Sequence, residues 1–159
     1  MKEIQAHAEG RKIGESLIIQ TAVRMLVPFI QLFGLYVIVH GHYSPGGGFQ
    51  GGVVLGSSYV LLALAFDLRF SMKYLPERIN VVLGNTGVLI YTGTAAICAI
   101  FGGLFLDYSA LDKLIPLGKV GWHSFGIFVV EVGVALAVMS IMASLFWDIS
   151  SGGELDEGL

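Results

Sequence analysis

The chain has 159 residues, of which 55% are hydrophobic and only 13% charged, and its mean hydropathy of +0.77 lies outside the balance of water-soluble domains. A formal net charge of −3 excludes the basic footprint that nucleic-acid binding needs. The single cysteine, Cys98, excludes an internal disulfide, and no Cys/His spacing points to a zinc or iron–sulfur site.

The first residues, MKEIQAHAEGRKIGE, mix Lys2, Arg11 and Lys12 with Glu3, Glu9 and Glu15. The apolar run behind them is too long for a signal-peptide core and lacks a small-residue cleavage site, so 1–16 reads as a retained, charged cytoplasmic leader. Four long apolar segments follow, at about Leu17–Val39, Phe49–Leu68, Val81–Leu106 and Trp122–Trp147. Each has roughly 20 residues or more, enough to cross a hydrocarbon core of about 30 Å at about 1.5 Å per helical residue. A soluble bundle would need a polar face on every helix, which these segments lack. The expected fold class is therefore all-α: an integral membrane domain of four transmembrane helices over 17–149, followed by an acidic tail at 150–159.

Lys and Arg are concentrated in the leader and in the second connection, at Arg69, Lys73 and Arg78, while the first connection has none. Basic loops stay on the cytoplasmic side, which places both chain ends there. Trp122 and Trp147, at opposite ends of the fourth segment, read as interfacial anchors, and YLPERIN, with Pro76, reads as a short turn between the second and third helices.

Polar residues inside the spans are costly unless partnered. In the first helix Gln20, Arg24 and Gln31 fall within an arc of about 40° and form one stripe that should face protein. Pro28 interrupts the backbone hydrogen bonds beside that stripe and frees a carbonyl that Arg24 or Gln31 could satisfy. In the fourth helix one carboxylate, Glu131, shares a face with Ser124 and Ala135. In the third, Asn85, Thr92, Ala96, Ala99 and Gly103 lie on one side. A charge near the bilayer centre costs about 2.5 to 3.5 kcal/mol on insertion scales, so Arg24 and Glu131 need an explanation. Helix lengths place them about 7 Å apart in depth, a gap that a long arginine could bridge. They then form a register-fixing pair, part of a proton or cation path, or contacts with a neighbouring subunit, with Gln20, Gln31, Asn85, Thr92 and Ser124 as further path candidates.

The stretch GHYSPGGGFQGG, Gly41 to Gly52, is dense with glycine at the mouth of the second helix. Pro45 sets a turn, Gly46 and Gly47 permit positive φ, and Gly48, Gly52 and Gly56 recur every fourth residue, a seam that lets another helix approach closely. A phosphate-binding loop is excluded by the absence of a following GK[ST] and of a preceding strand. Phe49, Gln50 and Gly51 complete the stretch and argue for a defined packing surface.

PGGGFQGG, Pro45 to Gly52, followed by an apolar helix, closely resembles the signature of the B subunit (MnhB-type domain) of the multisubunit Mrp-type Na⁺/H⁺ antiporter. The likeness covers roughly Ile18 to Ile149, including the glutamate in the last span. The resemblance implies a small, non-enzymatic subunit of a large hetero-oligomeric assembly in the cell membrane. Its partners would be other membrane subunits, its transported ions Na⁺ and H⁺, and it would carry no cofactor or metal. Domains of this type also occur in hydrogenase-like and sulfur-reducing membrane complexes, which keeps a redox-coupled assembly open. A purely structural subunit is a further alternative. A haem-bearing bundle is a last one, since His40 and His123 both fall at the same predicted side of the membrane.

Overall fold

In the computed structural model the described residues are 17–41, 46–101, 106–108 and 119–151. The leader, Pro45, Gly103 and the acidic end beyond Ser151 lie outside them. Five helices are described: α1 Leu17–Val39, α2 Gly47–Ala65, α3 Leu68–Tyr74, α4 Glu77–Ile100 and α5 Lys119–Ser151. Four segments, Leu17–Val39, Gly47–Ala65, Glu77–Ile100 and Gly121–Ser151, are long and apolar enough to cross a membrane. The chain is an all-helical membrane protein, with no strand among the described residues.

The helices form a row, α1–α2–α5–α4, rather than a closed square. Glycine explains why α2 occupies an inner place: it is small on two sides. Toward α1, a Cβ at Gly51 would lie 3.0 Å from the Gly34 carbonyl oxygen, and one at Gly34 would lie 2.9 Å from Leu55 Cγ. Toward α5, a Cβ at Gly52 would lie 2.7 Å from the Ala135 carbonyl oxygen and one at Gly56 3.0 Å from Met142 Cβ. Such approach trades side-chain bulk for backbone-to-backbone contact, which drives helix association where no hydrophobic effect operates. Gly48 meets Glu131, Gly52 meets Ala135 and Gly56 meets Met139, so α2 and α5 run parallel in a register that repeats every four residues.

On the far side of α5, α4 packs antiparallel, Gly87 against Gly133 and Gly84 against the Ser140 hydroxyl. Asn80, fully buried, fixes this pair. Its Nδ2 donates to the Ser140 carbonyl at 3.0 Å and to Ser144 Oγ at 2.8 Å, and Ser140 Oγ donates back to the Asn80 carbonyl at 2.6 Å.

The second connection holds a helix that the simple-turn expectation lacks. Asp67 Oδ1 accepts from the Leu68 amide at 2.7 Å to cap α3, and Ser71 Oγ donates to the Tyr59 carbonyl at 2.8 Å to dock it on α2. Two turns are too short to announce themselves by periodicity. Trp147, expected as an interfacial anchor, is instead 1% exposed, enclosed by Leu75, Ala143, Tyr59 and Met72 because α3 folds over it.

Candidate ion site

Glu131 lies where three helix segments meet. A Cβ at Gly41, just past α1, would lie 2.6 Å from the Glu131 Cδ, and so would one at Gly47, the first residue of α2. A Cβ at Gly48 would lie 2.8 Å from the Glu131 Cα. Only glycine leaves room for this carboxyl, and its Oε2 is buried. Gly46 precedes α2 with φ 138°, a left-handed value open to glycine at little cost. Here, then, is the reason for the glycine run: it makes the hole into which a glutamate fits.

The electrostatic setting follows from the helix ends. The first amides of α2 lack intrahelical acceptors and form its positive pole, which favours a carboxylate. The end of α1 is the negative pole of its dipole, which favours a cation or a proton; its Tyr36 and Ile38 carbonyls accept from the His40 and Gly41 amides at 3.1 and 3.2 Å. A carboxyl between two such ends can bind and release a positive charge, the same logic by which interrupted membrane helices hold ions.

Depth can be read from α5 itself. Trp122 lies nine residues before Glu131, about 13 Å along the axis. The end of α1 and the start of α2 are level with Glu131, so the described ends of these two helices lie about 13 Å short of Trp122 on that side, whereas α4 reaches the Trp122 level, where Thr94 and Ile97 line a cavity with it.

The other expected site residues do not converge on Glu131. Arg24 Cζ lies 5.3 Å from the centroid of the Phe66 ring, at the far end of α2, about 28 Å along that helix from Gly47. The paired reading of Arg24 and Glu131 is thereby corrected: helix lengths were legible, but α1 overshoots α2 on the Phe66 side, which lowers Arg24 to the helix ends. Gln31 is half-buried and donates through Nε2 to Ser58 Oγ at 3.3 Å, so its amide serves α2 rather than the carbonyl freed by Pro28. Gln20 is half-buried near the start of α1. Asn85, Thr92, Ala96 and Ala99 are exposed, and Thr92 Oγ1 donates to its own helix at Val88. Their face of α4 points out of this chain, because Asn80, Gly84, Gly87, Ala95 and Cys98 form the packed one. Ser124 is exposed, while Ala135 is buried in the α2 seam. Phe49 is 63% exposed and Gln50 also faces outward; Pro45 is outside the described residues.

His40 and His123 do not share a depth. His40 adjoins Gly41 and stacks on Tyr36, with ring centroids 4.1 Å apart, whereas His123 meets Tyr108 edge-on at 5.8 Å and lies about 12 Å from the Glu131 level. A shared haem is excluded by that offset. Sequence reasoning missed the Asn80–Ser140–Ser144 cluster; the available signal was an amide one turn before the small residues Gly84 and Gly87.

Residues 18–144 match the sequence profile of a family described as a domain related to the MnhB subunit of Na⁺/H⁺ antiporter. A protein of Staphylococcus epidermidis provisionally named antiporter subunit mnhB2 is 35% identical over 87% of this chain and 97% of its own length. Its namesake in Staphylococcus saprophyticus is 34% identical over 86% of this chain and 95% of its own. Among solved structures, a chain of the membrane-bound sulfane sulfur reductase, an archaeal respiratory membrane complex, superposes with a TM-score of 0.60 at 28% identity. The superposition covers 84% of the present chain and 59% of that one.

Proposed function

This chain belongs to the family of domains related to the MnhB subunit of Na⁺/H⁺ antiporters, and we propose that it is a small integral-membrane subunit of a multisubunit cation/proton antiporter. Within that assembly it completes an ion path at Glu131 and packs larger subunits through its exposed faces. The carrying observation is the Glu131 carboxyl held between the end of α1 and the start of α2 in a cavity made by Gly41, Gly47 and Gly48. A carboxyl so placed, about 13 Å below the Trp122 level, can exchange a proton or a sodium ion with a partner surface on the open side of the hairpin.

The test is Glu131→Gln in the complete complex, reconstituted in vesicles. The substitution keeps shape and removes charge, so co-purification of the other subunits stays normal while sodium-dependent proton exchange falls at least about tenfold, the loss of one positioned charge-assisted contact. Unchanged exchange in an intact complex would leave only an assembly role. A second reading, a subunit of a redox-driven complex, is favoured by the likeness to the sulfur reductase chain. Iron–sulfur polypeptides that co-purify in mild detergent would decide for it.

A further inference from the structure

A second polar locus lies at the other end of the molecule, around α3. A cavity of about 290 Å³ opens there, lined among others by Arg24, Pro28, Gln31, Phe66, Phe70 and Tyr74. Three of its walls are one aromatic run: Phe66 stacks on Phe70 at 4.5 Å between centroids and Phe70 meets Tyr74 at 5.1 Å. Spacing of four residues puts Phe70 and Tyr74 on one face of α3 and Arg69 and Lys73, both exposed, on another. This is the pattern of a helix lying in the bilayer interface, aromatic rings inward and cations toward headgroups.

Arg24 gives the cavity its chemistry. Its guanidinium lies over the Phe66 face, a contact that uses the π surface and leaves the N–H edge available for an oxyanion. Among the described residues no carboxylate lines this cavity, and Asp67, next to Phe66 in the chain, turns its Oδ1 to the Leu68 amide. Val27 and Leu62 continue the cavity as apolar wall, suited to the first carbons of a hydrocarbon chain. We propose that Arg24, with the aromatic face of α3, forms a binding site for one anionic phospholipid, its phosphate on the guanidinium edge and its chain along Pro28 and Leu62.

The experiment uses the complete complex in mild detergent, titrated with phosphatidylglycerol or phosphatidylcholine and read by native mass spectrometry. The wild type retains one phosphatidylglycerol more per chain than Arg24→Gln, whose affinity for that lipid falls about tenfold or more, as for one charge-assisted contact. Arg24→Lys retains an intermediate affinity, since it keeps the charge but loses the planar fork. Phe66→Leu, which keeps an apolar wall, also weakens binding by removing the ring that orients the guanidinium. Equal retention by Arg24→Gln overturns the proposal, as does equal binding of phosphatidylcholine. Displacement by inorganic phosphate alone would make the ligand a free anion and overturn the lipid assignment. A cross-link from this cavity to a neighbouring subunit's carboxylate, with no lipid retained, would overturn it as well.

Discussion

Glu131 is defined by what surrounds it being absent. One methyl added at Gly47 would collide with the carboxyl, so Gly47→Ala is expected to lower complex yield and antiport together. Glu131→Asp withdraws the carboxyl by one methylene and should restore much of the assembly lost in Gly47→Ala when the two are combined. The measurement is subunit co-purification across the double-mutant cycle, which isolates the coupling between two residues in contact. Additive losses would mean that the two positions act separately. The contrast with Glu131→Gln is diagnostic, because that change alters charge and leaves volume alone.

At the scale of elements, the α2–α5 seam and the α4–α5 polar clasp make different predictions. Gly52→Leu forces α2 off the Ala135 backbone, and the expected outcome is failed assembly rather than slowed transport, seen as loss of partner subunits on purification. Asn80→Leu removes both donated hydrogen bonds and leaves the Ser140 carbonyl and the Ser144 hydroxyl without that donor, while the Ser140 hydroxyl keeps the backbone carbonyl of residue 80; it should cost about 1 to 3 kcal/mol, measured as a fall in the midpoint of thermal unfolding of the purified complex. The end of α1 at Val39 could be read from hydropathy because that edge is sharp, and the four-residue spacing of Gly48, Gly52 and Gly56 marked a seam. Offsets between helices could not be read, since a hydrophobic run states its length but not its height beside a neighbour, and Arg24 was misplaced for that reason. Nor could the packed face of α4 be chosen. Small residues occur all round that helix, so Asn85 and Thr92 looked as suitable for the interior as Asn80 and Gly84.

For the molecule as a whole, the row of helices leaves broad apolar faces uncovered: Leu26, Phe29 and Phe33 on α1, and Val82 and Leu89 on α4, are all exposed. Lipid or other subunits must cover them. The unequal hairpins can be tested by labelling. Cys98 is fully buried, so a Cys98→Ser background serves as a blank, and His40→Cys should react with a membrane-impermeant maleimide added from the Trp122 side although it is level with Glu131. Protection of that cysteine would show the hairpin sealed from water. Labelling of that cysteine would mean an aqueous notch to this level, which would shift where the membrane potential is felt. With water at Glu131 on one face, nearly all of the voltage would fall across the thinner slab below it. A proton arriving from the wet side would then cross almost no field, whereas one leaving toward the other face would exchange about 2.3 kcal/mol with each 100 mV.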